Sequence, residues 1–148
     1  MILMALLALY VLPSDLTNYV NPIALNDVSL AAMTQACNDA TETANSYLRG
    51  RYPVDATAPI TVGSDLKRYS AFIAIRQLLV ARGYNPGASA DSAIESNYRD
   101  AVGYPDRPGS GWFPGVARGA IQPDITFPTP PAPTYQLPQV FSRPPRGF

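Results

Sequence analysis

An all-α fold, a small bundle of about four helices carrying a long extended proline-rich C-terminal arm, is what this sequence predicts, on three observations. Apolar residues step by three and four along residues 30–48 and 66–80, the spacing of a helix with one face on a core. Helix caps and breakers, Ser, Asp, Asn, Gly and Pro, fall at the ends of those stretches. The prolines are unevenly spread: Pro13, Pro22, Pro53, Pro59 and Pro86 are scattered, Pro105 marks a boundary, and ten more crowd the residues beyond it. The predicted division is a helical domain over residues 1–104, with an apolar N-terminal segment, and a docking arm over 105–148.

The elements follow in order. Met1–Leu12 is an apolar run too short to span a bilayer as a helix, which takes about 20 residues. It also lacks the basic start of a signal peptide, since no Lys or Arg precedes Arg49. It reads as a strand or helix buried against the body or a neighbouring subunit. Ser14 is placed to cap a short helix using Leu16, Tyr19 and Val20, which Asn21-Pro22 breaks. Asn26 or Asp27 caps a long second helix with its stripe at Leu30, Met33, Cys37, Ala40, Ala44, Tyr47 and Leu48. Gln35, Asn38, Asp39, Glu42 and Asn45 form its solvated side, and Gly50 and Pro53 end it. After the turn-rich 51–59, Ser64 or Asp65 caps a third helix, with Leu66, Tyr69, Phe72, Ile73, Arg76, Leu79 and Val80 on one side. Ile75 and Leu78 widen that face, so this helix is predicted to be the most buried. Arg82–Gly87 stops it, Ser89 or Asp91 opens a fourth helix through Ala93, Ile94, Tyr98, Ala101 and Val102, and Gly103 with Pro105 closes it. Glu95 and Arg99 are four apart, an exposed pair.

Beyond Tyr104 the proline density argues against helix and interior strand, leaving at most a short edge strand at Ala120-Ile121 or Gln139–Ser142. The tail is not a bland linker. Trp112, Phe113, Ile121, Ile125, Phe127, Tyr135, Leu137, Val140, Phe141 and Phe148 recur along it, with Arg143 and Arg146 near its end. Alternating proline and anchor side chains suit an extended segment laid in a partner's groove. Its 44 residues could extend to about 140 Å at ~3.1–3.3 Å each, far beyond the body's own radius of gyration of about 13 Å.

The composition removes much familiar chemistry. Histidine is absent, so histidine-dependent triads, metal sites and proton shuttles have no candidate. Cys37 stands alone, without an intrachain disulfide partner or a set of zinc thiolates, and reads as a small buried hydrophobe. The pairs Asp39/Glu42 and Asp91/Glu95 share helix faces and read as solvated charge. Gly109–Gly115 is glycine-rich but lacks the ending of a phosphate loop, and reads as a flexible turn. No catalytic, cofactor or metal residue is assigned, and the expectation is a non-enzymatic protein. Eleven Lys+Arg balance eleven Asp+Glu, which argues against a dedicated nucleic-acid binder. Arg49, Arg51, Lys67 and Arg68 are the one candidate basic patch, to be weighed against ordinary helix-end charge.

Several segments together carry a family resemblance. They are the Ser14–Leu16 start, the pattern A-x-x-x-A followed after six residues by YLRGRYPV (36–54), LKRYSAFIAIRQLL (66–79), SNYRDAV (96–102) and the terminal SRPPRGF (142–148). In this order the chain resembles the head-to-tail connector proteins of tailed bacteriophages, the adaptor or head-completion proteins, including the Mu-like prophage branch. The resemblance implies a virion neck protein made in the bacterial cytoplasm: a helical ring, twelve-fold, beneath the portal protein. Its C-terminal arm would clamp the portal, its opposite face would receive the tail or a stopper, and genomic DNA would pass through. No membrane is expected. The Met1–Leu12 run and the length of the proline-rich tail are additions to that pattern. They motivate the alternative of a membrane-associated or secreted proline-rich interaction module.

Overall fold

The computed structural model describes residues 9–81 and 89–128. Over these the chain is a small all-α bundle. Two 3-10 turns, Pro13–Asn18 and Pro22–Leu25, lead into helix α1 (Leu30–Leu48). A two-residue strand β1 (Thr61–Val62) precedes helix α2 (Ser64–Ala81), and helices α3 (Ser89–Val102) and α4 (Trp112–Ala117) follow, then strand β2 (Ile125–Thr126). α2 packs between α1 and α3, while α4 closes on α1 and α3.

Helix positions agree with the apolar periodicity, and the caps are where the structure departs from it. α1 is capped not by Asn26 or Asp27 but by Ser29, whose Oγ accepts from the Ala32 N–H at 3.1 Å. The first turn is capped not by Ser14 but around Leu12, whose N–H donates to Asp15 Oδ2 at 3.0 Å. α2 begins at Ser64 itself, because the Gly63 carbonyl already accepts the first helical bond, from the Lys67 N–H at 3.1 Å. Along α1, Cys37, Ala40, Ala44 and Leu48 are buried as the stripe requires, whereas Leu30 is 67% exposed. α2 buries Leu66, Ala71, Ile73, Ala74, Ile75, Leu78 and Leu79. Its neighbours α1 and α3 cover opposite flanks, which explains an apolar face wider than one stripe.

Asn45 corrects the predicted solvated side of α1. It is buried beside Thr41 because residues 9–12 lie across this part of the helix. The Tyr10 N–H donates to Thr41 Oγ1 at 3.1 Å, and the Tyr10 hydroxyl donates to Asn45 Oδ1. Tyr10 and Val11 thus enter the core, so the described end of the apolar N-terminal run packs on the body without forming helix or strand. Residues 1–8 and the predicted stop at 82–87 lie outside the described residues.

Burial pushes the Tyr10 hydroxyl up to about 12 from its ordinary 10.0, with the Glu42 charge adding to the shift. Burial likewise pushes the Cys37 thiol up to about 11 from 9.0, with Asp15 adding. Both folded-state values lie above the unfolded ones, so folding favours the protonated forms. Their contribution is complete below pH 9 and is lost as pH rises through 11 and 12. Urea midpoints read by circular dichroism should therefore hold to about pH 9 and fall steeply by pH 12. Tyr10→Phe should flatten the upper part of that fall while lowering stability at neutral pH by about 1 kcal/mol, because Asn45 loses its donor. An alkaline fall unchanged in both Tyr10→Phe and Cys37→Ala would show that other groups cause it.

The largest departure concerns the boundary at Tyr104. Residues 105–128 are not a free arm but part of the body. α4 places Trp112, Phe113 and Val116 in the core, at 7%, 0% and 0% exposure. Prolines do not prevent this helix, because Pro114 is its third residue, where a backbone N–H has no partner within a helix in any case. Of the two candidate edge strands, Ala120-Ile121 forms none and Gln139–Ser142 lies outside the described residues, while a strand forms at Ile125-Thr126. It pairs antiparallel with β1, Thr61 opposite Thr126 and Val62 opposite Ile125, and the Ile60 N–H donates to the Thr126 carbonyl at 2.6 Å.

Candidate functional site

The place where the C-terminal chain is fastened to the bundle is built mainly by residues 47–52. Tyr47, near the end of α1, stacks on Phe113 of α4 with ring centroids 5.6 Å apart. Phe113 meets Trp112 edge-on at 5.0 Å, and Trp112 stacks on Tyr69 of α2, also at 5.0 Å. An aromatic row thus runs from α1 through α4 to α2, each pair worth about 0.5–1.5 kcal/mol beyond its buried area. Arg51 then reaches across to the end of α4. Its Nε donates to the Ala117 carbonyl and its NH2 to the Arg118 carbonyl, both at 3.0 Å. A cation on the last carbonyls of a helix satisfies orphan acceptors and suits the negative end of the helix dipole. Tyr52 stacks on Phe127 at 6.0 Å, just before the described chain ends at Pro128.

The predicted arm residues therefore separate into two groups. Trp112 and Phe113 are core and are not available to a partner. Ile121 is half-buried and lies over Gly115, where an added Cβ would come within 2.6 Å of its Cδ1. Ile125 is half-buried in β2, and Phe127 is held by Tyr52. Tyr135, Leu137, Val140, Phe141, Arg143, Arg146 and Phe148 lie outside the described residues. The Gly109–Gly115 stretch, read as a flexible turn, contains the start of α4.

The four candidate patch cations each have a partner of their own. Arg49 forms a two-pronged pair with Asp55, its NH2 3.0 Å from Oδ1, which raises the arginine and lowers the carboxyl from their ordinary values. Lys67 lies 3.9 Å from Asp15. Arg68 pairs with Asp65 at 3.2 Å and lies 4.9 Å over the Tyr69 ring. With Arg51 taken by backbone carbonyls, the set reads as local helix-end pairing and not as one open basic surface.

No family model, curated protein or solved structure matches this chain. Among the described residues no three acidic or sulfur side chains gather closely enough to hold a metal ion, and no helix is long and apolar enough to cross a membrane. What the arrangement does mechanically is hold residues 112–127 against the end of α1 and the turn after it. From sequence alone Arg51 belongs to the candidate basic patch and Tyr52 has no assigned role; the structure gives both to the fastening of the C-terminal chain. The signal was there in an arginine and two tyrosines spaced around a helix end.

Proposed function

We propose that this protein is a structural component of a phage virion neck, a head-to-tail adaptor. It assembles as a ring under the portal, joins the capsid vertex to the tail, and clamps the portal with its last residues. One observation carries the reading. The YLRGRYPV segment, the most distinctive part of the resemblance to head-to-tail connectors, is the segment whose Tyr47, Arg51 and Tyr52 fasten the C-terminal chain to the bundle. A connector needs a folded body and a firmly rooted arm, and this segment supplies the root. The arm itself shortens to residues 129–148. Their seven apolar and basic anchors, Tyr135 to Phe148, carry no Asp or Glu among them. Twenty extended residues span about 60 Å, enough to reach from one ring onto another. A twelve-fold ring, DNA passing through it, and tail or stopper on its far face belong to the same proposal.

The membrane-associated or secreted alternative rests on the apolar N-terminal run together with the proline-rich tail. Tyr10 and Val11 of that run are buried in the chain's own core, which takes them out of a bilayer's reach.

The test is a chain ending at Pro128, produced from the phage genome in place of the full gene. The truncated protein should stay folded yet fail to co-sediment with portal, leaving filled heads and tails unjoined. Normal infectious particles from that gene would sink the proposal.

A further inference from the structure

On the side of the bundle where α3 turns into α4 lies an open cleft of about 450 Å³. Its walls are the end of α3, the loop between α3 and α4, Pro114 of α4 with Arg118 just beyond that helix, and Tyr47 of α1. The loop is firmly built. The Tyr104 N–H donates to Ser110 Oγ at 2.7 Å, and that hydroxyl in turn donates to the Arg107 carbonyl at 2.7 Å.

We propose that this cleft is a docking site for an extended acidic segment of a partner protein, with carboxylates seated on Arg107 and Arg118. Three arginines, Arg99, Arg107 and Arg118, line it, and no Asp or Glu does. Arg99 is answered by Glu95 at 3.1 Å. Arg107 lies 4.4 Å over the Tyr104 ring, and Arg118 NH2 donates to the Gly109 carbonyl at 3.2 Å. Among the described residues neither Arg107 nor Arg118 has an ion-pair partner. Both are exposed, in a concave and partly apolar setting where a guanidinium fork recognises a carboxylate with two parallel bonds.

Charge excludes the occupants closest to hand. Residues 1–8, 82–88 and 129–148 contain no Asp or Glu, and the last of these carries Arg143 and Arg146. The chain's own arm, or the arm of a second copy, would bring positive charge to positive charge. Asp91 stands at the far end of α3, about 16 Å along the helix from Val102. Asp106 is exposed and does not line the cleft. Nucleic acid is disfavoured by the aromatic rings. Tyr47 is stacked on Phe113, Tyr98 is faced by Arg76 at 4.0 Å and Arg99 at 5.5 Å, and Tyr104 is faced by Arg107. Bases find few open ring faces on which to stack. The inference stands on the cleft alone and does not rest on the neck reading.

The experiment is a selection of random dodecapeptides displayed on phage against the immobilised full-length protein. Selected peptides are then synthesised and their affinity measured by fluorescence anisotropy. A peptide of residues 129–148 and a 20-nucleotide single-stranded DNA serve as rival probes. The expected result is enrichment of Asp and Glu beside Pro or aromatic residues, with affinity about tenfold or more lower in Arg107→Glu and in Arg118→Glu. Arg107→Glu changes an exposed side chain that makes no backbone hydrogen bond, so an unchanged melting temperature separates loss of binding from loss of fold. The proposal is overturned if no peptide is selected, if the selected peptides lack acidic residues, or if Arg107→Glu leaves their affinity unchanged. Tighter binding of the 129–148 peptide or the oligonucleotide at this cleft would overturn it equally.

Discussion

A chain ending at Tyr104 will not fold, whereas one ending at Pro128 will keep a cooperative melting transition close to that of the full chain. The shorter cut removes α4 and β2 together. Phe113 and Val116 have no exposed surface and Trp112 almost none, so their loss opens the core along α1, α2 and α3. Deleting one large buried side chain costs about 3–5 kcal/mol. Three such losses rival the whole stability of an ordinary domain, about 5–15 kcal/mol. Secondary effects act in the same direction: Tyr47 and Tyr69 lose their stacking partners, Arg51 loses its two carbonyls, and β1 loses the strand that pairs with it. Thermal melts by circular dichroism and the dispersion of amide proton resonances distinguish the two chains. A cooperative melt from residues 1–104 would mean that α4 is an accessory to the core.

That boundary shows what the sequence could and could not convey. α1, α2 and α3 were legible because each is long enough for a period of 3.6 to repeat, and the caps lay within a few residues of the structural ones. α4 was not legible. Six residues give less than two turns of pattern, Pro114 argues against helix unless its position in the first turn is known, and flanking glycines suggest a turn. Trp112 and Phe113 were read as anchors for a partner, and the cover comes instead from this chain's own Tyr47 and Tyr69, a difference that sequence spacing does not convey. The same limit explains Asn45, whose partner Tyr10 is 35 residues away, and Arg51, whose carbonyl partners lie 66 and 67 residues on. The cleft arginines, Arg107 and Arg118, fell in a region read as arm and became visible only once the α3–α4 loop folded back on the body.

Gly111→Ala will destabilise the protein by about 3–4 kcal/mol, more than a surface loop position normally could. Gly103 and Gly111 close the α3–α4 loop backbone to backbone. Gly111 has φ 97°, a conformation that side chains rarely adopt, and this strain alone costs about 1–3 kcal/mol. An added Cβ would also lie 2.6 Å from the Gly103 nitrogen, 2.7 Å from its Cα and 2.8 Å from the Val102 carbonyl carbon. None of these is the end of a flexible side chain. Relief requires either α3's last turn or α4 to move, and α4 cannot shift without disturbing Phe113 and Trp112 in the core. Urea denaturation should show a lower midpoint with an unchanged slope, the mark of a destabilised but intact native state. Gly109→Ala is the matched control. That residue shares a positive φ of 87° but has nothing within 4 Å of the new Cβ, so it should lose only the strain contribution. Equal losses at the two positions would show that backbone strain, and not the close approach of the two chain segments, sets the demand for glycine at Gly111.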